Sequence, residues 1–187
     1  MLSDSTLMKK LFALLLLSAG LLRAQSDTID LGARGKLTIY VSERWQIETA
    51  DYGDRRMVTF KPKEGTNAEA TLTITFPETD RLDTKNRLKQ RTEIDGMKYA
   101  DQSTEGKAIG KPFNLKAGYG FHCDFTDPEL VGKPPQKGNF KTISIGLIHL
   151  SAEVLVEVSI SADGFNSEPY QDILGAIEGM EFTAPKG

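Results

Sequence analysis

The chain has 187 residues, 23 basic and 26 acidic side chains, a formal net charge of −3 and 8% aromatic residues. Mild acidity excludes a dedicated nucleic-acid binder, which carries a clearly basic domain. One cysteine, Cys123, excludes an intramolecular disulfide, and with only His122 and His149 beside it a Cys/His zinc site lacks ligands.

The first element is an export leader. Met8, Lys9 and Lys10 give a basic start, Leu11 to Leu17 an apolar run, and Ser18-Ala19-Gly20 and Ala24 the small residues before a cut. The apolar stretch ends at Leu22, with Ser18 and Gly20 inside it and Arg23 after it. It falls short of the ~20 residues a spanning helix needs. Cleavage is expected after Ala24, Met8 reads as an alternative start, and no lipoprotein anchor is expected because no cysteine follows the run. The mature part, 25–187, has 163 residues with 20 basic and 25 acidic side chains, which fits a single domain. The expected location is periplasmic or secreted, without stable membrane insertion after cleavage.

Strands come next. Leu37, Ile39 and Val41 alternate with Thr38 and Tyr40, the period-2 pattern of a half-buried strand. A turn at Ser42-Glu43-Arg44 leads to Trp45 and Ile47. Asp51 and Asp54 flank Gly53 in what reads as a solvated turn. Val58 and Phe60 form a short run stopped by Pro62. Ala70, Leu72, Ile74 and Phe76 alternate with Thr71, Thr73 and Thr75, and the Gly65-Thr66-Asn67 turn predicts antiparallel pairing with the strand before.

From Asp83 or Thr84 to Asp95 the chain lacks Gly and Pro and reads as a helix with a cap-type residue at its start and Gly96 as its stop. Leu88 and Ile94 are its strong apolar residues, which predicts a narrow buried edge. In the second block Tyr119, Phe121, Cys123 and Phe125 share one strand face, with Gly120, His122 and Asp124 on the other. Ile143, Ile145, Leu147 and His149 share a face. After a tight turn near Ser151-Ala152, Val154, Val156, Val158 and Ile160 alternate with Leu155, Glu157 and Ser159, so the two strands are antiparallel neighbours. A last helix starts at Ser167 as cap, with Glu168 and Pro169 in its first turn. It repeats Tyr170, Ile173, Leu174 and Ile177 at helical spacing and ends at Gly179. The fold class is α+β, an antiparallel sheet with flanking helices.

The strand and turn from Val41 to Trp45, the mid-chain helix, the long hairpin and the last helix carry a resemblance. That helix ends Ile173-Leu174-Gly175-Ala176-Ile177, followed by Met180-Glu181-Phe182. Together these resemble the PsbP-like fold, an α/β/α sandwich shared by the photosystem II extrinsic protein, a Ran-binding import factor and bacterial families of unknown function. The likeness spans most of residues 35–182. It implies a non-enzymatic binding or assembly module and transfers no partner, because partners differ between branches.

No P-loop, nucleophile elbow, zinc helix or calcium loop occurs, so no catalytic residue, metal or cofactor is assigned. His122-Cys123-Asp124 suggests a nucleophile and base, but adjacent strand residues point to opposite faces. A dyad of Cys123 with His149 from a neighbouring strand is the remaining geometry, set against a plain buried thiol. Lys85, Arg87, Lys89 and Arg91 form a basic helix surface suited to an acidic partner, and are the candidate partner-binding residues. The Pro- and Gly-rich segment from Asp127 to Asn139, with Lys133, Lys137 and Lys141 in or beside it, reads as a mobile loop. The leading reading is an exported, non-enzymatic binding or assembly module for a protein or envelope component. The alternative is a small-ligand carrier with a pocket between sheet and helix near Tyr119, His122 and His149. An enzyme of unknown class comes third.

Overall fold

A computed structural model describes residues 25–185; the leader-like segment lies outside them. The elements in chain order are β1 (Gln25–Asp30), β2 (Lys36–Val41), β3 (Trp45–Asp51), β4 (Arg55–Pro62), β5 (Ala68–Thr75) and α1 (Lys85–Ala100). Then follow β6 (Lys111–Pro112), β7 (Tyr119–Thr126), β8 (Thr142–Ser151), β9 (Val154–Ala162), α2 (Glu168–Glu178) and β10 (Glu181–Thr183). The fold is α+β and every strand pair is antiparallel.

Seven strands form the large sheet in the order β3-β4-β5-β9-β8-β7-β6. Two runs of neighbouring hairpins are joined side by side where β5 pairs with β9, Leu72 opposite Val158. The alternation foreseen along β5 holds: Ala70, Leu72 and Ile74 are buried, while Thr71, Thr73 and Thr75 stay half-buried on the opposite face. The apolar set meets Val156, Val158 and Ile160 of β9 and the Tyr170, Ile173 and Ile177 face of α2 in one core. Each such aliphatic side chain contributes about 1.5–3 kcal/mol through its burial.

Sequence reasoning missed a second, three-stranded sheet, β1-β2-β10, which covers the same core from outside. Its ends are short and polar: β1 shows a single buried residue, Ile29, and β10 has three residues. Neither carries enough alternation to announce itself. β2 supplies Leu37, Ile39 and Val41 to the core.

On the other face of the large sheet α1 packs on β7 and β8. Thr84 caps it, its hydroxyl accepting the Arg87 N–H at 3.3 Å. Gly96 does not end this helix, which continues to Ala100. The buried stripe is Leu88, Thr92, Gly96 and Ala100, spaced four apart, while Ile94 is 61% exposed and points away from the sheet. Small residues at this spacing bring the helix close to the strands, so Gly96 serves approach and not termination. Thr92 satisfies its buried hydroxyl by donating to Leu88 O at 2.9 Å. The closing helix α2 starts as expected, with Ser167 Oγ accepting the Tyr170 N–H, and has Gly179 at its C-terminal cap.

Candidate functional site

The basic residues of α1 are not an unopposed positive surface. Arg87 pairs with Asp83 at 2.6 Å, Lys89 with Glu93 at 3.7 Å and Arg91 with Asp95 at 2.9 Å. Each pair is four residues apart on an exposed helix flank, worth about 0.3–0.5 kcal/mol. Lys85 lies exposed in the first turn. The helix therefore presents alternating charge, with the exposed Ile94 and Met97 along its outer ridge.

The three residues named for a ligand pocket separate. Tyr119 and His149 sit opposite each other in the β7–β8 register and stack at 4.8 Å between ring centroids. Gly118, with φ of +73°, brings β7 in so tightly that a Cβ there would lie 2.2 Å from His149 O, a position only glycine fills. His149 Nε2 is 3.0 Å from Asp80 Oδ2, and the Tyr119 hydroxyl donates to Leu82 O at 2.8 Å. Burial, with Asp80 and Asp83 nearby, raises the Tyr119 pKa above its ordinary value. These contacts pin the 76–84 connection to the sheet beside α1. A β-bulge between His149 and Ser151 lies next to them.

His122 belongs to the opposite face. Its Nδ1 lies 2.9 Å from Asp124 Oδ1, and its ring packs at 4.7 Å on Phe113. Phe113 lies over Gly120 and Gly146: a Cβ at either would come within 3.0 Å of that ring, which explains two glycines in mid-strand. No pocket between sheet and α1 therefore brings both histidines together.

Asp124 is the centre of a polar cluster that sequence reasoning missed. It takes hydrogen bonds from Ser144 at 2.5 Å and Lys111 at 2.8 Å, while Ser144 and the Tyr170 hydroxyl lie 2.8 Å apart. Burial alone would raise its carboxyl, but the His122, Lys111 and Ser144 partners outweigh it and hold the pKa well below the usual carboxylate range. Burial pushes Tyr170 up. The cluster contains Ser, His and Asp in the wrong order for nucleophilic catalysis, with the carboxylate between serine and histidine. Its only advance signal was Asp124 on the His122 face of β7.

Cys123 is fully buried under α1, its thiol 3.9 Å from Thr92 O, and burial raises its pKa to about 11. A buried thiol so disposed to stay protonated is no nucleophile. The expected small buried hydrophobe is what the chain contains.

An open groove flanks α1. Because the helix covers β7 and β8, the outer faces of β9 and β5 beside it form the floor of a groove. Cavities of about 250, 290 and 360 Å³ lie in a row along it, the first two sharing Asp95, Leu147 and Glu157 in their linings, the last two Tyr99. The first ends at the His149–Asp80 contact. From Leu155 to Ser161 the floor extends roughly 20 Å at the usual strand rise.

The Asp127–Asn139 loop meets the far end of this groove, and its last residues are hydrogen-bonded there. Asn67 donates from Nδ2 to Asn139 O and Asp163 Oδ1, and accepts the Gly138 N–H at 2.9 Å. Among the described residues no three His, Cys, Asp or Glu side chains converge as a metal site, and no helix is long and apolar enough to cross a membrane. Comparison of the chain with protein-family models finds no match, and a search of curated proteins returns none.

Proposed function

We propose that this protein is an exported, non-enzymatic binding module that seats its partner, a protein or envelope component, in the groove between α1 and the open face of the large sheet. The observation that carries this reading is the half-covered sheet: seven strands wide, it has α1 on β7 and β8, with a row of adjoining cavities beside the helix. The leader-like residues 8–24 support export. The PsbP-like resemblance supports a module without chemistry of its own. The protonated Cys123 and the order of the Asp124 cluster support the same. Internal pairing of Arg87, Lys89 and Arg91 moves the contact surface from the helix face to the groove.

The test is photocrosslinking from position 73, in the groove floor, with envelope extract. Two variants are compared: Ser159→Arg, which blocks the floor from the neighbouring strand, and a fourfold Lys85/Arg87/Lys89/Arg91→Glu variant. Capture by the wild type and the fourfold variant, with loss in Ser159→Arg, is the expected outcome. The reverse pattern returns the site to the charged helix face.

A second reading has its own observation. The 250 Å³ end of the groove is bounded by His149, Asp80 and Arg91, polar groups converging on a concavity with Leu147 and Leu155. That arrangement suits a small ligand held between sheet and helix.

A further inference from the structure

The lining of the groove has a chemistry of its own. Its floor is a run of hydroxyls: Thr71, Thr73 and Ser159 line the central cavity and Ser161 continues into the next. Thr75 turns its hydroxyl away to Leu155 O at 3.4 Å, so it is bound within the protein while the others line the groove. A Ser or Thr hydroxyl both donates and accepts.

Charge along the groove is balanced. The acidic Asp80, Asp95, Asp127 and Glu157 are matched in number by the basic Arg81, Arg91, Lys98 and Lys141. Arg91 and Asp95 are moreover paired with each other at 2.9 Å. Such a lining offers no net field to an anionic lipid, nucleic acid or acidic peptide. An apolar strip of Ile143, Ile145 and Leu147 on β8 runs beside the hydroxyls of β5 and β9, so the floor is amphipathic, and a fatty chain lying on it would leave Thr71, Thr73 and Ser159 without partners.

Tyr99 stands where two of the cavities meet. One side stacks on Phe125 at 5.6 Å, and the exposed Lys98 ammonium lies 5.0 Å from its ring centroid. A lysine in water holds this position weakly, by about 0.5–1 kcal/mol, so a ligand with C–H faces can take its place. Strand floors of this kind offer no unpaired backbone, since β5 and β9 are hydrogen-bonded to neighbours on both sides. An extended peptide would lie there with its own amides unmatched.

We infer that the groove binds an uncharged oligosaccharide chain. Its hydroxyls meet the Thr71, Thr73 and Ser159 hydroxyls and donate to Glu157, and a pyranose face covers Tyr99. The roughly 20 Å floor admits several sugar units in a row. This rests on the groove being the binding site and names the class of envelope component it takes.

The experiment is an array of neutral oligosaccharides of graded length, beside sulfated and uronic-acid chains, probed with the purified protein and followed by calorimetry on those retained. Neutral chains are expected to bind more tightly as they lengthen, with affinity unchanged between low and high salt. Thr73→Val and Glu157→Gln, which keep side-chain shape, should each lower affinity about threefold to tenfold, one hydrogen bond's worth, without moving the urea midpoint. Retention of charged chains alone, or of no glycan, overturns the oligosaccharide. If position 73 still crosslinks an envelope component while no neutral glycan binds, the ligand class falls and the groove stands. If crosslinking and glycan binding both fail, both readings fall.

Discussion

Gly96 lies so close to Phe125 that a Cβ on the glycine would stand 3.1 Å from the phenyl Cζ, and 2.9 Å from the Ala108 Cβ. Phe125 is 2% exposed and has Tyr99 stacked on it, so it has nowhere to retreat. Alanine in place of a mid-helix glycine gains about 1 kcal/mol of helix propensity, but overpacking costs about 1–3 kcal/mol. Gly96→Ala should therefore destabilise the protein by about 1 kcal/mol net. Gly175 in α2 is the control, because nothing lies within 4 Å of its added Cβ. Gly175→Ala should stabilise by about 0.5–1 kcal/mol. Urea midpoints of the two variants settle the matter: equal gains would remove the close-packing account of α1.

Asp124→Asn should cost about 2–3 kcal/mol at neutral pH, because Lys111 and His122 lose a buried charged acceptor. The folded-state pKa of Asp124 is depressed. Its contribution is thus fully present above the unfolded carboxyl value of about 3.9 and lost as pH falls below it toward the folded value. The gap between wild type and variant should hold from neutral pH down to about pH 5 and close on further acidification. Urea titrations across that range measure it, and a gap that widened with acid would contradict the sign.

Cys123, with its pKa near 11, should resist alkylation in the folded protein. At pH 8 the thiolate fraction is about one in a thousand, and α1 covers the sulfur. Iodoacetamide labelling should follow global unfolding, appearing only across the urea transition. Rapid labelling of native protein would show that α1 lifts from the sheet. Cys123→Ala should leave partner capture intact and lower stability by about 1 kcal/mol.

Asn67 holds the 127–139 loop by both ends of its amide. Asn67→Ala should leave the fold intact, lower stability by about 1–2 kcal/mol, and open the chain to protease between 131 and 138. Mass spectrometry of the first cleavage products checks this. Unchanged protease resistance would mean that the Asp127 hydrogen bonds to Lys141 and Leu130 already suffice to hold the loop.

What the sequence revealed follows from how far each pattern depends on neighbours in the chain. The β5 threonines, the Val154–Ile160 alternation and the Ser167 cap are local, and the structure reproduces them. Gly96 was misjudged because a glycine after a polar helix has two meanings. The spacing Thr92, Gly96, Ala100 distinguishes them only once the helix is known to lie on Cys123 and Phe125. β1 escaped because only Ile29 of its six residues is buried, and β10 because its three residues reach β2 from the far end of the chain. The split of Tyr119 and His149 from His122 was legible in the strand alternation. The groove was not, since its walls come from α1, β5, β8 and β9.

The β5–β9 pairing also has a kinetic meaning. The hairpins on either side close over short stretches of chain, whereas the Thr75 hydroxyl reaches Leu155 O across 80 residues. Local hairpins form in microseconds, while joining them must overcome the loop-closure entropy of everything between. The expected limiting step is thus the meeting of the two meanders. Substitutions along this seam should slow folding, and those under α1 should chiefly hasten unfolding. Until β9 arrives, the first meander keeps its β5 edge unpaired, open to pairing with another copy of the chain.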